Sequence, residues 1–60
     1  SNPVYMGRLM HDFFAFIRAY DAWAKYPKPK SKMGLELEYH VRSQRQKLHE
    51  ALPEGTDDDG

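Results

Sequence analysis

The 60-residue chain has no cysteine, which removes disulfides and thiolate metal sites from the ways it can be held together. It also has no apolar run near the roughly 18 to 20 residues needed to cross a bilayer, so it reads as a chain outside the membrane. Both absences fit a cytoplasmic setting. Acids are scarce over most of the length. Residues 1–49 carry all nine Lys and Arg against Asp12, Asp21, Glu36 and Glu38, a local balance of +5. Glu50, Glu54, Asp57, Asp58 and Asp59 bring the formal net charge back to zero. The closing stretch "PEGTDDDG" offers nothing to bury, so residues 54–60 are expected to form a disordered acidic tail.

Length sets a second bound. A domain of this size buries only about 60% of the surface its unfolded chain exposes. Small domains usually add a disulfide, a metal or a partner chain.

The residues that are present describe an all-α chain, an antiparallel hairpin of two helices. Asn2 can cap and Pro3 suits a first helical position. Apolar residues then recur at Met6, Met10, Phe13, Ile17, Tyr20 and Ala24, spaced alternately four and three as on one helix face. Leu9, Phe16 and Trp23 form a second row beside the first, headed by Tyr5. The two rows span an arc of about 140°, which Phe14 widens. Gly7 costs roughly 1 kcal/mol inside a helix, so the start can slip beyond it. Tyr26 and Lys28 each precede a proline and are driven out of the helical region. The first helix is thus predicted over about 3–25, with a turn at 26–31.

Ser31 can cap a second helix over about 32–52, ended by Pro53 and Gly55. Its stripe is Met33, Leu37, Val41, Gln44, Leu48 and Leu52, with Ala51 alongside, and Glu38 and Arg42 form a favourable pair four apart. "LELEYHV" (35–41) also alternates as a strand does. That strand has nothing in this chain to pair with, and the run "RSQRQKLHEAL" continues as helix.

The two faces are unequal. The second helix offers one narrow stripe, whereas the first carries Phe13, Phe14, Phe16, Tyr20 and Trp23. The excess would be an exposed aromatic patch of the kind that marks an interaction site. Leu35 and Tyr39 form a smaller patch on the far side of the second helix. Two hairpins joined as a dimeric, antiparallel four-helix bundle, first helix on first helix, would cover it. Met10, Phe13, Phe14, Phe16, Ile17, Tyr20, Trp23, Leu35 and Tyr39 are the expected interface. A rival is that the chain is a fragment whose aromatic face packs on its parent protein.

Chemistry is poorly represented. Glu36 and His40 stand four apart, but zinc needs three or four convergent ligands and no matching spacing occurs. No Glu has a His three residues on, as a di-iron bundle requires. Ser43 follows His40 by three with no third group to orient the pair. No catalytic, cofactor or metal residue is assigned, and a non-enzymatic interaction or oligomerisation module is expected.

The alternative is a small nucleic-acid-associated regulator. Residues 25–32, "KYPKPKSK", put Lys25, Lys28, Lys30 and Lys32 on one corner with no acid, and clustered lysines suffice for phosphate contact. A reading strand at 35–41 would turn Glu36, Glu38 and His40 outward, which repels DNA. In this alternative the acidic tail competes for the lysines of its own chain.

Overall fold

A computed structural model describes residues 3–52. The expected tail at 54–60, and the stops at Pro53 and Gly55, lie outside the described residues. Within them the chain is two helices, α1 (Pro3–Lys25) and α2 (Lys32–Ala51), packed on one another along their lengths. Helix α1 starts at Pro3 and continues through Gly7, so the cost of that glycine does not delay it. Nothing lies within 4 Å of where its Cβ would stand.

Two prolines and a serine fix the corner. The Tyr26 N–H donates to the Trp23 carbonyl at 3.2 Å and closes the last turn of α1. The Ser31 N–H donates to the Lys28 carbonyl at 3.1 Å, and the Ser31 hydroxyl donates to the same oxygen at 2.7 Å. Extended at φ −74° and ψ 169°, Ser31 also accepts from the Gly34 N–H at 3.1 Å. This is the geometry by which a serine satisfies one orphan donor of a helix start. At the other end of the hairpin the Tyr5 hydroxyl donates to the Ala51 carbonyl at 2.6 Å. A contact between the first turn of α1 and the last turn of α2 requires the helices to run antiparallel.

The stretch 35–41 is helical, and its alternation resolves into two four-apart pairs. Leu37 and Val41 are half-buried, while Leu35 and Tyr39 are exposed. Four residues is close to one helical turn, so each pair shares a face. Glu38 and Arg42 meet as expected, at 2.9 Å, on an exposed surface.

Which row of α1 faces α2 is the main finding about packing. The half-buried side of α1 comprises Tyr5, Leu9, Asp12, Phe16 and Trp23, with Ala19 buried at 6% exposure. The four-three series Met6, Met10, Phe13, Ile17, Tyr20 lies on exposed surface, centred about 100° around the helix. Asp12, a half-buried acid, lies on the packed side. On α2, Leu37, Val41, Gln44, Leu48 and Ala51 are half-buried, whereas Met33 and Leu52 are exposed. One narrow stripe meets one row, and the second row is left over.

Candidate interaction face

Each functional side chain is placed by one of three local features: the uncovered row of α1, the far side of α2, or the corner. The uncovered row comprises Met6, Met10, Phe13, Phe14, Ile17 and Tyr20, each between 42 and 50% exposed. Half-exposure means that these side chains lie along the helix with one flank against it and the other open. Their rings are already arranged in mutual contact. Phe13 and Phe14 have centroids 5.9 Å apart, tilted by 56°. Phe16 and Tyr20 lie at 6.1 Å, and Tyr20 meets Trp23 edge-on at 5.5 Å and 68°. These separations fall in the range where aromatic pairs attract beyond their area burial. Tyr20 therefore joins the open row to the packed one.

The expected interface set is divided by the structure. Met10, Phe13, Phe14, Ile17 and Tyr20 are open, while Phe16 and Trp23 are half-buried on the side turned to α2. Leu35 and Tyr39 are open at 51% and 73%, on α2. The alanines of α1 between these rings also differ: Ala19 is buried, Ala15 half-buried and Ala22 exposed.

The corner presents Lys25, Lys28, Lys30 and Lys32, all exposed. Lys25 pairs with Asp21 at 3.0 Å. Lys28, Lys30 and Lys32 have no ion-pair partner among the described residues. Tyr26 is half-buried, so only part of its ring is open. Pro27 and Pro29 lie within the turn that carries Lys28 and Lys30, and Ser31 ties that turn to the Lys28 carbonyl.

Two features were not anticipated from sequence. Gly34 is buried beneath the corner, and a Cβ there would overlap the Lys28 carbonyl oxygen and stand 2.5 Å from that of Pro29. The available signal was a glycine in the first turn of a strongly helical segment, which is costly unless a close approach requires it. The second is a cleft of about 280 Å³ between the helices, walled by Phe16, Tyr20 and Trp23 and rimmed by Arg42 and Arg45. Nothing in a helical wheel of either helix alone reveals it.

Among the described residues, no three side chains of His, Asp or Glu are grouped to hold a metal ion, and no helix is long and apolar enough to cross a membrane. What fold and site define is a two-helix hairpin with an aromatic face open along α1 and a basic corner. Compared with protein-family models, curated proteins and solved structures, the chain matches none of them.

Proposed function

We propose that this chain is a non-enzymatic interaction module that self-associates through the open aromatic face of α1, two hairpins forming a four-helix bundle. One observation carries the reading: six large apolar side chains line one side of α1 half-exposed, while Ala19 is the one buried apolar residue among those described. Covering the open flank of each is worth roughly 1 kcal/mol, half the value of full burial. A helical pair whose largest side chains all remain partly wet lacks the interior that usually stabilises a small domain. A second copy supplies a matching face without requiring any other sequence. Sedimentation of the chain across micromolar to millimolar concentrations tests this, with a dimer as the expected species. A folded monomer throughout that range would remove the proposal.

A second reading rests on Lys28, Lys30 and Lys32, which are exposed at the corner without an ion-pair partner among the described residues and suit a polyanion such as nucleic acid. Titration of a labelled duplex at low and moderate salt tests it, since phosphate contacts weaken steeply as salt rises. Binding that is absent, or indifferent to salt, rejects that role.

A further inference from the structure

We propose that the lysine corner of one copy is occupied by the acidic segment Glu54–Asp59 of a second copy, which sets the two hairpins of the dimer head to tail. This rests on self-association through α1 and specifies how the copies are oriented.

The argument starts from distance. The corner and Leu52 lie at opposite ends of α2, whose 20 residues span about 30 Å. Asp57 is five residues beyond Leu52 and Asp59 seven. Seven residues pulled straight extend at most about 25 Å, short of that span, so within one chain the backbone of Asp59 stops short of the corner and only side chains are left to close the gap. The competition between tail and lysines of the same chain, considered from sequence, is disfavoured on this ground.

Between two chains the distance disappears. The open row of α1 runs from Met6 to Tyr20 with Phe13 at its midpoint, and α1 itself is Pro3–Lys25. Laying two such rows together antiparallel about Phe13 brings Met6 near Tyr20 and Met10 near Ile17 of the other copy. It also brings the end carrying Leu52 beside the other copy's corner, twice, by symmetry. Four acids, Glu54, Asp57, Asp58 and Asp59, then face Lys28, Lys30 and Lys32, the three corner lysines without a partner among the described residues. The parallel arrangement would set corner against corner and acids against acids. Apolar contact supplies affinity in either orientation; the charges distinguish the two, because like-charge juxtaposition is the effective penalty on a wrong partner.

The test is a charge swap between copies. One variant carries Lys28→Glu and Lys30→Glu, the other Asp57→Lys and Asp58→Lys, and each is studied alone and in equimolar mixture by sedimentation and circular dichroism. At about 20 mM ionic strength each variant alone should dimerise about tenfold more weakly than the parent, as several exposed pairs turn repulsive. The mixture should form heterodimers within about threefold of the parent's affinity, because one contact reappears with reversed sign and the other is the native one. If a lone variant loses helix, regaining it on mixing reads the same way. At about 0.5 M salt the differences should shrink towards nothing. Mixing without any gain overturns the proposal, whether the acids bind within their own chain, near Arg45 and His49, or the lysines serve a nucleic acid that a labelled duplex then reveals. If the parent is a folded monomer, self-association itself fails and this contact falls with it. If the parent is a dimer and mixing has no effect, the contact alone fails.

Discussion

Gly34 and Gly7 are the same residue type within helices, yet they should respond oppositely to the same change. At Gly34 an added methyl meets backbone, the Lys28 and Pro29 carbonyls, and not the pliable end of a side chain. Replacement by alanine gains up to about 1 kcal/mol of helix propensity but forces the corner to move, and overpacking typically costs 1 to 3 kcal/mol. Gly34→Ala is expected to destabilise by about 1 kcal/mol or more. Gly7→Ala, with open space around it, should stabilise by roughly 0.5 to 1 kcal/mol. Urea unfolding of the two variants against the parent checks both signs. Ser31→Ala removes both the cap on Gly34 and the hydroxyl bond to Lys28, and a loss of about 1 kcal/mol is expected for the cap. Ser31 was legible in the sequence because its role is local: a serine ahead of an apolar helical run. Gly34 was not, because its neighbours are set by the path of the corner, which no local propensity encodes.

The bounds of both helices follow from punctuation that acts on the backbone directly. Pro3 opens α1, and the Tyr26–Pro27 and Lys28–Pro29 pairs prevent it from continuing. That part was readable. The partition of α1 into a packed row and an open row was not, because both rows have helical spacing and comparable hydrophobicity. Only the approach of α2 decides between them. Ala19 is the buried residue of the packed side, flanked there by half-buried Leu9, Phe16 and Trp23. The Met6–Tyr20 row stays outside, so the residues with the most regular pattern are not the core. At the open end of the pair the Tyr5 hydroxyl clasps the Ala51 carbonyl. That oxygen belongs to the last turn of α2, where carbonyls lack helical partners. Tyr5→Phe keeps the ring and removes the donor, so it should cost about 1 kcal/mol. Amide exchange should accelerate in the first turn of α1 and the last turn of α2, while the Ser31 corner keeps its protection. Uniform acceleration along both helices would show that the clasp is not a local tie.

At the scale of the whole molecule, stability and association are expected to be one equilibrium. If the open face of α1 is closed only by a second copy, the folded state gains free energy with concentration, whereas the Tm of an independent monomer does not depend on dilution. Each tenfold dilution of a dimer removes about 1.4 kcal/mol. Set against an unfolding entropy of about 2 cal/mol/K per residue over two chains, that lowers Tm by about 5 °C. Substitutions on the two rows of α1 then separate packing from assembly. Phe16→Asp or Trp23→Asp puts a charge on the side turned to α2 and should yield an unfolded or aggregated chain. Phe13→Asp puts the charge on the open row, away from α2, and should abolish the dependence of Tm on dilution along with most of the helix content at micromolar concentration. At millimolar concentration, dichroism should show Phe13→Asp still poorly helical, since repulsion between charges at the midpoint of the antiparallel faces is not overcome by mass action. A Phe13→Asp chain as helical as the parent, with Tm independent of dilution in both, would mean that the hairpin stands without a second copy. The half-exposed row would then have to be assigned to a different partner.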